Sequence, residues 1–126
     1  MTARDRQPSK SGFAFVPRSM CAAPRVFGRT GSPFEPVAGM DESDPRVRAA
    51  QLQHLTANAV REELLAAGQT IEKYLEAIAP DLPGLSYDRL TRVLRGQTQM
   101  QLADVMFWAD RFDRVKLVVG TALGLP

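Results

Sequence analysis

Cysteine occurs once, at Cys21, and histidine once, at His54. A single thiol forbids an internal disulfide, and one cysteine with one histidine cannot supply a zinc-ligand set at any spacing. Glycine-rich phosphate loops, a Gly-x-Ser-x-Gly elbow and a nucleophile–base–acid triad are also missing. The adjacent carboxylates Glu62 and Glu63 diverge on a helix and read as solvated, and His54 reads as a surface or half-buried helix residue. These absences argue against an enzyme, a metal and a cofactor. No apolar run approaches the roughly 18 residues of a membrane span. The stretch from Gly12 to Val16 is cut by Pro17 before it reaches the length of a signal-peptide core. The expected compartment is the cytoplasm.

What is present is one small domain's worth of chain. It has 126 residues, 44% of them hydrophobic, and a formal charge of +2 that hides an asymmetry. Residues 1–39 carry Arg4, Arg6, Lys10, Arg18, Arg25 and Arg29 against Asp5 and Glu35, a net +4; residues 40–126 carry −2. Six of the nine prolines fall within the first 45 residues, with no apolar period of 2 or 3.6. Residues 1–44 therefore read as a disordered basic leader, which could track phosphates as an arm. Other readings of it are a natural start at Met20 or Met40, or an organelle transit segment.

Residues 45–126 read as helices. Asp44 and Pro45 make a helix start, with Asp as N-cap and Pro in the first position. The apolar stripe of 46–67 shifts midway, from Leu52, Leu55 and Ala59 to Val60 and Leu64. That implies either two helices broken near Thr56–Asn58 or one helix buried on two sides. Gly68 ends it, and Thr70 caps a second helix carrying Ile71, Tyr74, Leu75 and Ile78. Pro80 and Pro83 forbid continuation. Ser86 caps a third helix with Leu90, Val93 and Leu94 inward and Gly96 as its stop. Thr98 to Gln101 matches a capping box for a fourth helix with a stripe of Leu102, Val105, Met106, Ala109 and Phe112. The β-branched tail from Val115 reads as a short strand or as an extension of that helix.

The third helix holds three arginines, Arg89, Arg92 and Arg95, on and beside its outer face, together with Tyr87 and Thr91. Gln97 and Gln99 follow. Arginine grips phosphates and guanine edges, glutamine reads adenine, and threonine contacts a thymine methyl or a phosphate. A local cluster of cations within a net-acidic domain is useful if an anion docks there, although a charged outer face is commonly just solvated.

The order helix, tight Gly, helix, loop, arginine-bearing helix, Gly, helix over residues 60–112 resembles the Cro/lambda-repressor-type helix-turn-helix family. The resemblance rests on Gly68-Gln69-Thr70 at the first turn, and on Ser86, Leu90, Thr91-Arg92-Val93 and Arg95-Gly96 in the recognition helix. Ile71 stands where the family has Gln, Leu75 where it has Ala, and the link between the two helices is about five residues longer. The resemblance implies an all-α fold: a small helix-turn-helix bundle of four to five helices over 45–126. It implies a transcriptional regulator whose helix 86–95 enters the major groove of double-stranded DNA. Candidate DNA contacts are Gln69, Thr70, Tyr87, Arg89, Thr91, Arg92, Arg95 and Gln97. A homodimer through the fourth helix and tail, by way of Phe107, Trp108, Leu117 and Val119, is expected. The alternative is a helical protein-interaction module, antitoxin-like or a regulator of another transcription factor, that does not bind DNA.

Overall fold

A computed structural model describes residues 14–78 and 86–124. Five α-helices make the bundle: α1 Pro45–Ala66, α2 Ile71–Ile78, α3 Tyr87–Leu94, α4 Leu102–Arg111 and α5 Asp113–Ala122. No strand occurs among the described residues, and no helix there is long and apolar enough to cross a membrane.

The starts and stops of α1, α2 and α3 follow local chemistry. The Asp44 carboxylate accepts the Arg46 N–H at 2.8 Å and pairs with the Arg46 guanidinium, which lowers its pKa to about 2. The Thr70 hydroxyl accepts the Lys73 N–H at 3.1 Å, and Ser86 accepts that of Arg89 at 3.0 Å. Gly68 and Gly96 sit at φ +69° and +75°, the left-handed conformation that closes a helix and favours glycine.

Helix α1 is unbroken over 22 residues and buried on two sides, the second of the two expected possibilities. It is the axle of the molecule: α2, α3, α5 and the leader all pack on it. Its alanines Ala50, Ala57 and Ala59, at most 2% exposed, let these neighbours come close. On the bundle side the core is Val60, Leu64, Leu75, Leu90, Leu94, Trp108 and Val115. Burying a side chain such as Leu90 contributes about 1.5–3 kcal/mol. Trp108, fully buried, stacks with Tyr74 and Phe112 at centroid distances of 6.2 and 5.9 Å. It is therefore core, and not the dimer contact expected of it.

Three expectations are corrected. The C-terminal segment is a helix and not a strand: Phe112, at φ −129° and ψ 118°, breaks the chain for one residue before α5 begins. Packing on α1 overrides the β-branched preference of Val115, Val118 and Val119. Arg114 of α5 also reaches Glu62 at 2.9 Å and Glu63 at 3.5 Å, so that pair is bridged rather than merely solvated. Secondly, α4 starts at Leu102 with Gln101 as N-cap, three residues beyond Thr98, because Asp104 accepts the Gln101 N–H at 2.7 Å. This phase turns Asp104 and Trp108 inward and leaves Leu102 and Met106 exposed, against the expected stripe.

The third correction concerns the leader. Over residues 14–44 it is neither detached nor structureless; residues 1–13 lie outside the described part. It folds back on itself, with Cys21 bridging Pro36 and the Val37 N–H donating to Met20 O at 2.8 Å. Two 3-10 turns, Pro17–Met20 and Pro24–Val26, shape it. It docks on α1 through polar side chains that a search for apolar stripes passes over. His54 is fully buried: Nδ1 accepts the Gly28 N–H at 2.8 Å and Nε2 donates to Ser32 O at 2.7 Å. One turn on, Asn58 accepts the Gly31 N–H and donates to Ser32 O. Gln53 donates to Val93 O and Thr98 O and accepts the Met100 N–H, fixing the end of α3 and the link to α4.

Candidate nucleic-acid interface

Each expected contact residue has a definite place. Tyr87, Arg92 and Arg95 are exposed on α3 and its C-cap, and none has an ion-pair partner among the described residues. Gln69 and Thr70 are exposed at the start of α2. Together with Tyr87, Arg61 and Lys73 they line an open trough of about 600 Å³. Glu72 is the trough's one acid among the described residues. Thus the residues that open α2 and the first residue of α3 share one concave surface.

Three residues depart from expectation. Arg89 is held by a two-pronged pair with Asp104, at 2.6 and 2.7 Å, with Asp104 almost buried. This bond raises the Arg89 pKa and occupies its fork. Thr91 is only 8% exposed and faces inward. Gln97 is half-buried and lines neither the trough nor the pocket described next. A further difference lies in the helix pair itself: α2 and α3 both dock chiefly on α1 rather than on one another. The link joining them lies mostly outside the described residues.

The leader brings cations that no motif pointed to. Arg18, Arg25 and Arg29 stand beside Arg95 and Arg61 around a pocket of about 330 Å³ floored by Phe27 and Pro24. Arg61 lines this pocket and the trough alike, so the two form one surface. Burial, and then the charges of Arg95 and Arg29, hold the Arg61 pKa below its ordinary value. The contiguous basic surface runs from Lys73 through Arg61 and Arg95 to Arg29, Arg25 and Arg18. The leader's +4 was the one sequence signal for this. Its meeting with Arg61 depends on His54 and Asn58 holding the chain at 28–32.

Potential of one sign, concentrated along a groove, attracts polyanions well beyond contact distance. Among the described residues no cluster of His, Cys, Asp and Glu is suited to a metal ion. No family model matches the chain, and neither a curated protein nor a solved structure matches it.

Proposed function

We propose that the protein binds double-stranded DNA through this basic surface, as a helix-turn-helix regulator with α3 presented to the groove. The observation that carries the reading is the grouping of Gln69, Thr70 and Tyr87 with Arg61 and Lys73 in one trough, which Arg61 joins to the arginine pocket of Arg95; Arg92 stands exposed on the same helix as Tyr87. In this reading Arg92 and Tyr87 approach bases. Arg95, Gln69, Thr70 and Lys73 hold phosphates, and the leader arginines extend the phosphate track. Arg89 and Thr91 are withdrawn from the contact set.

A labelled duplex titrated with the protein and its Arg92→Ala variant tests this. The variant should bind more weakly by about 1–3 kcal/mol with its melting temperature unchanged. Equal affinity in the two would remove α3 from the interface.

The rival reading, a protein-interaction module that does not bind DNA, draws on the sealing of Arg89 and the inward turn of Thr91. Absence of duplex binding even at low salt would favour it.

A further inference from the structure

The pocket between the leader and the bundle differs in kind from the open face of α3. Five arginines, Arg18, Arg25, Arg29, Arg61 and Arg95, line about 330 Å³, and no acid among the described residues lines it. None of the five has an ion pair among the described residues. The Arg61 Nε is buried and has no hydrogen-bond partner there. A buried donor without an acceptor is costly, and like charges gathered around one hollow repel each other even where solvent reaches them. Both costs are removed by one kind of occupant: a compact anion with many acceptor oxygens.

The chemistry narrows further. Arginine forks match the paired oxygens of phosphoryl groups. A single phosphate carries only about −1.5 to −2 near neutral pH, less than half of what five guanidiniums ask. A chain of two or more phosphoryl groups comes closer in charge and offers oxygens in several directions.

We infer that this pocket, at the leader end of the proposed DNA surface, is also a binding site for a free diphosphate or longer phosphoryl chain. The five arginines come from two bodies. Arg18, Arg25 and Arg29 belong to the leader, Arg61 to α1 and Arg95 to the cap of α3. Occupancy therefore pins the leader to the bundle, and the ligand acts as a clip.

Isothermal titration of the full chain with sodium pyrophosphate, at ionic strength held constant with chloride, tests the site. The parent should bind one pyrophosphate per chain. The Arg25→Gln/Arg29→Gln variant, both positions exposed on the leader, should lose about tenfold or more in affinity. Its helical circular dichroism should match the parent. Tryptic cleavage of the parent after Arg18, Arg25 and Arg29 should slow when pyrophosphate is added. Arg92→Ala should leave pyrophosphate binding intact while weakening the duplex, which separates this site from the DNA reading. No saturable binding by the folded parent, or binding unchanged in the double variant, overturns the inference. If the double variant lowers duplex affinity while the parent ignores pyrophosphate, the five arginines serve the DNA track alone and the phosphoryl site is refuted.

Discussion

Arg89 and Arg92 lie one turn apart and carry the same guanidinium, yet their surroundings assign them opposite work. Arg89 grips Asp104, itself 5% exposed, so its removal leaves a carboxylate poorly solvated and disconnects α3 from the start of α4. Arg89→Ala should destabilise the fold by about 1–3 kcal/mol, the cost of leaving a buried charged group without its partner, readable as a drop in melting temperature. Arg92→Ala should not move that temperature. If the two variants melt alike, the division of roles is wrong. Gly28 makes a different kind of requirement. It sits at φ +74°, and a Cβ there would collide with the Leu94 carbonyl oxygen and press on the Ala57 methyl at 2.9 Å. Backbone strain alone costs about 1–3 kcal/mol for a residue with a side chain in that conformation. Gly28→Ala should therefore loosen the leader, and trypsin should cut after Arg25 and Arg29 faster than in the parent. Unchanged cleavage would mean that the close approach does not hold the leader.

His54 adds a pH dependence. Burial lowers its pKa from the ordinary 6.5, although the hydrogen bond to Ser32 O pulls the other way. Protonation would also end its acceptance of the Gly28 N–H. The unfolded chain therefore takes up the proton more readily than the folded one. The stability His54 contributes is full above about pH 6.5 and declines as pH falls through the lower folded value. Leader protection from trypsin should weaken from pH 7 toward pH 5 in the parent. A protection profile flat across that window would contradict this.

At the scale of elements, legibility followed whether an element is specified locally. The starts of α1 and α3 were plain because Asp44-Pro45 and Ser86 act within one turn. The inward set of α3, Leu90, Val93 and Leu94, came from periodicity and is correct. The phase of α4 was not legible, since it is set by Asp104 reaching back to Gln101 and across to Arg89. The leader was not legible either, because what holds it is polar. His54 and Asn58 are hydrogen-bond acceptors for a backbone 26 and 27 residues away in sequence. Helix α5 leaves Leu117 and Leu123 70% and 63% exposed beside Leu52 and Leu55 of α1, an open apolar groove. In our reading of the protein as a dimer, the second copy sits there, and Trp108 takes no part. Leu117→Glu should then convert a dimer to a monomer in sedimentation velocity with the fold intact. A parent that sediments as a monomer at every concentration ends that reading.

For the molecule as a whole, the organisation is an acidic helical bundle wearing a basic strap. The net −2 of residues 40–126 and the net +4 of residues 1–39 suggested two separate pieces. Folding instead lays Arg18, Arg25 and Arg29 beside Arg61 and Arg95, so cations from both pieces make one surface. The candidate site was legible in part: Gln69 and Thr70 could be named from the turn before α2, and Tyr87 and Arg95 from the outer face of α3. Arg61 and the leader arginines could not, because their position depends on contacts made across the fold.

A phosphate-gripping surface of the kind proposed for duplex DNA must lose its hold as salt rises. Fluorescence anisotropy of a labelled random duplex should show binding by the full chain at low salt, with affinity falling by roughly 10³ or more between about 50 and 200 mM. Affinity that barely changes across that range, or no binding at 50 mM, would contradict it.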